Sequence, residues 1–275
     1  MKNLDTYAVF GSPISHSKSP RIHTLFAEQT HQSLDYFAQE VNADNFVTAA
    51  TDFFVKGGKG LNCTVPLKEL AWQFADTKTE RAESAKAVNT LIKQSDGSIL
   101  GDNTDGIGLV NDLTHNHHIE LKNKRILILG AGGAARGIIS PLLDKRPDCL
   151  VIANRTVEKA LTLALEFNHS FKSSSFEDLD SEQFDIILNA TSASLTNELP
   201  PLPANLLARH GICYDLTYSN QPTSFVRWGH SQNASKSIDG LGMLVEQAAE
   251  AFFLWRGIRP ETKSVISLLN SERSH

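Results

Sequence analysis

One stretch constrains the fold of this chain more than any other. Arg125-Ile-Leu-Ile-Leu is apolar enough for a buried strand, and it passes directly into Gly130-Ala131-Gly132-Gly133-Ala134-Ala135 and then into a segment of helical periodicity. Strand, glycine-rich turn and helix in that order form the dinucleotide-binding turn. Gly130 permits the tight turn, Gly132 lets the backbone approach a pyrophosphate, and Ala135 stands where a small residue packs against the strand. The helix start supplies N–H groups and the positive end of a dipole. Ala131, Gly133 and Ala134 belong to the same cofactor-binding turn. A glycine-rich corner with no ligand is the competing account, and the order of the three elements argues against it.

The next apolar run, Cys149 to Ala153, ends in Asn154-Arg155-Thr156. A turn specific for NAD usually carries Asp or Glu here, to bond the ribose 2′-hydroxyl. That acid is missing. Arg155, with Lys159 one helical turn beyond Thr156, offers cationic donors suited to the 2′-phosphate of NADP. A solvated basic helix start would explain any single cation, but the position after the second strand favours phosphate binding. NADP is the expected cofactor.

A chain of 275 residues exceeds the usual single-core size and suggests two domains. Apolar runs near 6–10, 34–40, 60–65, 125–129, 149–153, 184–188 and 211–216 alternate with helical patterns at 20–31, 44–55, 66–75, 105–115, 134–145, 156–168 and 240–256. Such alternation predicts an α/β protein with mainly parallel sheets. The polar stretch from His115 to Lys124 reads as one joint and the glycine-rich Asp239 to Gly242 as a second. The expected plan is therefore a substrate domain over 1–105, a Rossmann-like NADP domain over 106–239, and C-terminal helices over 240–275 that return to the first domain.

A net charge of -5 argues against a chain-wide grip on nucleic acid. Cys63, Cys149 and Cys213 are odd in number and lie in strand-like stretches, which argues against a disulfide framework and for a reducing compartment. The opening MKNLDTYAVFGSP holds no apolar signal core, and no run approaches the roughly 20 apolar residues that span a bilayer. The expectation is a cytoplasmic protein, monomer or homodimer, that engages a small molecule and neither nucleic acid nor membrane. His115, His117 and His118 cluster, but they follow a helix pattern and precede a polar loop. Cys and His take zinc-ligand spacing nowhere, so no metal is expected.

Four further segments concentrate polar residues at strand ends. Gly11 to Pro20 holds Ser17 and Ser19 just before Pro20, and proline at a first helical turn makes Ser19 the expected N-cap while leaving Ser17 unexplained. Asn62-Cys63-Thr64-Val65-Pro66-Leu67-Lys68 leaves a strand with Asn62 and Thr64 on one side by alternation. Lys68 then stands at a helix start, where its charge opposes the helix dipole. Ala87-Val88-Asn89-Thr90 and Gly101-Asp102-Asn103-Thr104-Asp105-Gly106 follow, each explicable alone as turn chemistry.

Together these segments resemble the shikimate dehydrogenase family, with its S-x-S-P, N-x-T-x-P-x-K, A-V-N-T and D-N-T-D-G patterns. The resemblance runs on through the G-A-G-G-A turn, the N-R-T segment, Asn189-Ala190-Thr191-Ser192, Tyr214-Asp215 with Tyr218, and Asp239-Gly240-Leu241-Gly242-Met243-Leu244 with Gln247. It implies a substrate domain facing a Rossmann-like NADP domain across a cleft, and reversible oxidation of the ring hydroxyl of shikimate. It further implies that Ser17, Ser19, Thr64, Asn89, Asp105 and Gln247 hold shikimate, with Tyr218 nearby, and that Lys68 and Asp105 are the catalytic pair. Gly240 and Leu216 would lie beside the nicotinamide, and Glu80 is a further candidate cofactor contact. Two positions depart from the pattern: Ser194 stands where glycine is common, and Thr223-Ser224-Phe225 replaces T-P-F.

Hydride transfer from an alcohol requires that the hydroxyl proton leave, and reduction requires its return. Lys68 then acts either as acid and base or as an electrostatic stabiliser of alkoxide character, with Asp105 orienting it or sharing the proton. Met243, Gln247 and Ala251 share one helix line, so Gln247 sets an amide in an apolar stripe, either to satisfy buried backbone or to reach a ligand. A quinate-using relative would need room for one more hydroxyl, and Arg155 argues against the NAD-using kind. A non-catalytic NADP-binding regulator should have lost Lys68 or Asp105, and both are present. A methylenetetrahydrofolate dehydrogenase shares the two-domain plan but not the S-x-S-P and D-N-T-D-G segments.

Overall fold

A computed structural model describes residues 4–180 and 182–273, so residues 1–3 and 274–275 of the expected first and last segments lie outside the described residues. The chain forms two compact units, Met1–Gly108 with Leu244–Leu269, and Leu109–Met243 with Asn270–His275.

In the first unit, β1 (Asp5–Gly11), β2 (Leu34–Glu40), β3 (Gly60–Cys63), β4 (Thr77–Lys78), β5 (Thr90–Lys93) and β6 (Ile99–Asp102) form one sheet in the order β2-β1-β3-β5-β6-β4. Central β1 is apolar on both faces. Ala8 and Phe10 pack with Leu61, Cys63 and the apolar sides of α2 (Phe46–Val55) and α3 (Lys68–Phe74). Tyr7 and Val9 pack with Ile14, Tyr36 and Trp255 on the other face. There α1 (Ser19–Gln29) meets α9 (Leu241–Arg256) through Phe26 and Phe252, edge to face at 5.8 Å.

The expectation of mainly parallel sheets holds here for three of the five pairings, β4 with β6 being the third. β1 pairs in parallel with β2 and β3, but β3 and β5, and β5 and β6, are antiparallel. The β5–β6 hairpin, β4 and α4 (Glu80–Ala85) were not foreseen. The hairpin strands have only four residues each, too few for a period to register. Their turn is local chemistry: the Asp96 carboxylate accepts from the Ser98 N–H, and Gly97 takes φ +91.

The second unit holds a six-stranded sheet in the order β12-β11-β10-β7-β8-β9, parallel throughout, from β7 (Arg125–Leu129), β8 (Cys149–Ala153), β9 (Lys172–Ser174), β10 (Phe184–Asn189), β11 (Leu207–Asp215) and β12 (Lys236–Ile238). Alternate residues of β7 enter two cores, Ile126 and Ile128 on one face, Leu127 and Leu129 on the other. A strand covered on both faces must be apolar throughout, which is why 126–129 shows no alternation. Chain order reverses between β7 and β10, the switch point at which open parallel sheets bind ligands beyond their strand ends. The polar stretch 115–124 lies within this unit, with Ile119 and Leu121 buried in its core. The chain crosses between units inside helices, within α5 (Asp105–Asn111), within α9 and within the last helix (Lys263–Ser271).

Candidate active site

The substrate-side residues gather in the first unit where parallel β1 and β3 end. Ser12 N–H donates to the Val65 carbonyl at 3.0 Å, and Thr64 N–H to Phe10 at 2.9 Å, so the two strand-end loops run together. A side chain on Gly11 would come within 2.4 Å of the Thr64 methyl, which requires glycine there. Ser17 is half-buried and Ser19 buried. The N-cap expectation is corrected: Ser19 is the first residue of α1, and the Ser17 hydroxyl accepts the Ser19 N–H at 3.3 Å. Ser17 thus serves the helix start.

Lys68 is the first residue of α3 and Asp105 the first of α5. Their side chains meet, Nζ donating to Oδ2 at 2.5 Å, at 17% and 8% exposure, which sets them apart from an ordinary surface ion pair. The other carboxylate oxygen, Oδ1, accepts from Asn89 Nδ2 at 2.8 Å. Asn89 is a strut rather than a turn residue. Its side-chain oxygen accepts the Thr104 N–H at 2.9 Å, and its amide also reaches Gln247 Oε1 at 3.2 Å. Gln247 Nε2 donates to the Leu244 carbonyl, so this amide satisfies backbone and joins the cluster at once. Gly108 permits the approach, since a side chain on it would come within 2.7 Å of Gln247.

Three members of this cluster escape sequence reasoning. Tyr36 hydroxyl donates to Asn62 Oδ1 at 2.7 Å, and Asn62 Nδ2 donates to Thr90 Oγ1 and to the Asn89 carbonyl, both at 3.1 Å. Asn62 is singled out by strand alternation but given no role. Thr90 passes as a strand residue, and nothing in the sequence marks Tyr36. Burial raises the Tyr36 hydroxyl well above its ordinary range. Glu80 is exposed at the first residue of α4, where its charge suits the positive helix end.

In the second unit, Gly130 takes φ +103 at the end of β7, and a side chain there would press on the Ala190 carbonyl at 3.1 Å. Side chains at Gly132 and Gly133 would meet nothing within 4 Å, so there is open space over the start of α6 (Gly133–Leu143). Ala131 is half-buried beside the core, Ala134 is half-buried, and Ala135 is fully buried against the sheet. Open backbone at the switch-point helix start fits a pyrophosphate. Arg155, Thr156 and Lys159 are exposed around the start of α7 (Val157–Glu166), and Asn154 Nδ2 donates to the Thr156 carbonyl. Among the described residues neither Arg155 nor Lys159 forms a salt bridge, and Thr156 makes no side-chain cap, so these groups are uncommitted and fit a 2′-phosphate.

The strand ends of β10 and β11 hold a second polar cluster. Asp215 is fully buried and accepts from Ser194 and Thr223 hydroxyls at 2.6 Å and from Asn189 Nδ2 at 3.1 Å. Burial raises its carboxyl pKa against these bonds. The two departures from the family pattern meet here, Ser194 and Ser224 hydroxyls lying 3.4 Å apart. Asp215 also accepts the Thr217 N–H, fixing the loop that carries Leu216 and the half-buried Tyr218. Gly240 packs on that loop, where a side chain would fall 2.2 Å from the Leu216 carbonyl. His117 lies 3.5 Å from Asp112, and among the described residues no three His, Cys, Asp or Glu side chains group as metal ligands.

Three family models match the chain: the shikimate dehydrogenase substrate binding domain over 9–91, shikimate / quinate 5-dehydrogenase over 112–197, and the shikimate 5'-dehydrogenase C-terminal domain over 240–269. A shikimate dehydrogenase (NADP(+)) of Methylococcus capsulatus is 58% identical over 275 residues, 99% of either chain. That of Cellvibrio japonicus is 53% identical over 270 residues, 98% of either chain. Among solved structures, a shikimate 5-dehydrogenase of Thermus thermophilus in complex with NADP(H) and shikimate matches with TM-score 0.87 at 31% identity, over 98% of this chain and 100% of that one. Agreement of this kind along nearly the full length means that the chain belongs to the shikimate dehydrogenase family.

Proposed function

We propose that this chain catalyses the reversible NADPH-dependent reduction of 3-dehydroshikimate to shikimate, a step toward chorismate and the aromatic amino acids. The observation that carries the reading is the Lys68–Asp105 pair, with Asn89 holding the second aspartate oxygen and Gln247 bonded to Asn89. NADP, when bound, accepts or returns hydride. In oxidation the substrate C–H leaves as hydride, while Lys68 passes an ammonium proton to the Asp105 carboxylate and takes the substrate hydroxyl proton in its place; reduction reverses these transfers. With one N–H committed to Asp105, the ammonium has two left to meet a substrate oxygen, and Asp105 fixes its direction. Ser17, Ser19 and Thr64 offer hydroxyls to the acid and ring hydroxyls of the substrate, with Asn89, Gln247 and Tyr218 completing its contacts. Gly130, Ala131, Gly132, Gly133 and Ala134 hold the pyrophosphate, Asn154, Arg155, Thr156 and Lys159 the 2′-phosphate, and Leu216 and Gly240 flank the nicotinamide, with Glu80 as a further contact.

No helix among the described residues is long and apolar enough to cross a membrane, and Cys63, Cys149 and Cys213 are all free thiols, which supports a reducing, cytoplasmic setting. Lys68→Met tests the central role. Turnover should fall by about 10²- to 10⁴-fold, the usual worth of general acid–base catalysis, while NADP affinity is unchanged. Near-normal turnover would remove Lys68 from the mechanism.

A further inference from the structure

Asn89 meets Asp105 at the end of a chain of hydrogen bonds whose polarity is fixed by backbone groups on either side. On one side the Asn89 carbonyl can only accept, so the Asn62 atom that reaches it at 3.1 Å is Nδ2. Asn62 Oδ1 therefore faces Tyr36, and the phenol donates to it at 2.7 Å. On the other side the Thr104 N–H can only donate, so the Asn89 atom it meets at 2.9 Å is Oδ1, and Nδ2 faces Asp105. Thr90 stands between the two amides. Its hydroxyl accepts the second Asn62 Nδ2 proton at 3.1 Å and donates to Asn89 Oδ1 at 2.9 Å. With Asn62 supplying a proton on one side, the threonine proton has only Asn89 to go to.

We propose that Thr90 is a positioning residue for the Lys68–Asp105 pair, acting through the Asn89 amide; this rests on the reading of that pair as the reacting groups. Thr90 is fully buried at the start of β5, so whatever it does to the reaction passes through a neighbour. Asn89 Oδ1 is held from two sides, by Thr90 and by Thr104, and this keeps Nδ2 on Asp105 Oδ1 at 2.8 Å. The other carboxylate oxygen, Oδ2, is the one that takes the Lys68 proton. A carboxylate anchored at Oδ1 keeps Oδ2 in line with Nζ, whereas a rocking amide lets it swing out of line. Valine has the shape of threonine and suits a strand, but it leaves Asn89 Oδ1 held from the Thr104 side only.

The test is the single-turnover rate of NADP reduction by shikimate, together with KM for both, in Thr90→Val and Thr90→Ala, which lack the hydroxyl, in Thr90→Ser, which keeps it, and in Asn89→Ala with and without Thr90→Val. Losing the hydroxyl should slow the hydride step about 3- to 10-fold, the worth of one hydrogen bond. KM for NADP should stay unchanged, and KM for shikimate should move less than the rate. Thr90→Ser should recover most of the rate. The double variant should be no slower than Asn89→Ala alone, because the effect passes through Asn89. A normal rate without the hydroxyl, or a rise in KM for shikimate with no slowing, would overturn the proposal. So would additive losses in the double variant or a serine that restores nothing, either of which would mark loosened packing instead of a directed bond. If Lys68→Met is crippled and the hydroxyl-free variants are not, the inference fails while the catalytic pair stands. If Lys68→Met turns over normally, the reading of the pair falls and the inference falls with it.

Discussion

His23 is a titratable side chain kept where no polar group reaches it. Both ring nitrogens lack partners, and the ring lies among Tyr36, Phe26, Phe252 and Trp255. Burial alone lowers its pKa from 6.5 to about 3. A base with a depressed folded-state pKa takes its proton first in the unfolded chain. The ring therefore carries no protonation penalty above pH 6.5, and stability drains away as pH falls from 6.5 toward 3. The slope is at most about 1.4 kcal/mol per pH unit. Urea unfolding at pH 7 and pH 5 should show a smaller loss in His23→Leu than in the native chain. Equal losses would mean that His23 titrates alike in both states.

At the scale of elements, the proposed choice of cofactor rests on the turn from β8 into α7. Its cations are exposed, and among the described residues Arg155 and Lys159 have no acidic partner to compete with a phosphate. Arg155→Ala should lower the ratio of catalytic efficiencies for NADP over NAD by about 10-fold, since only NADP carries the 2′-phosphate and a charge-assisted bond is worth about 1.5–3 kcal/mol. Lys159 and Thr156 keep the effect at the low end of that range, and salt should shrink the remaining preference. An unmoved ratio would make Arg155 an ordinary surface residue. This turn is legible in the sequence because strand, glycine turn and second strand follow one another within thirty-odd positions, roughly the span of a βαβ unit. The β5–β6 hairpin is not legible. Its residues read as turn chemistry because their partners lie elsewhere in the chain: Asn89 N–H donates to the Asp102 carbonyl, and Cys63 N–H to Asn89.

At the scale of the whole molecule, a short linear pattern is readable and a long-range bond is not. Lys68 betrays itself by opposing a helix dipole, and Gln247 by interrupting an apolar stripe. Tyr36 gives no such sign, since an aromatic residue in a strand is ordinary, and only its bond to Asn62, twenty-six positions away, reveals it. Ser17 and Ser19 are both picked out, but which one serves the helix start depends on which hydroxyl can reach the Ser19 N–H. The crossings between units also hide from the sequence, because they run inside α5, α9 and the last helix, where the helix continues unbroken. What both units together are for is tested most directly by absorbance at the reduced-nicotinamide band, with shikimate or quinate offered against NADP or NAD. The account predicts rapid reduction of NADP by shikimate, with quinate and NAD each markedly poorer. No reduction by shikimate with either nucleotide, or a preference for quinate with NAD, would contradict it.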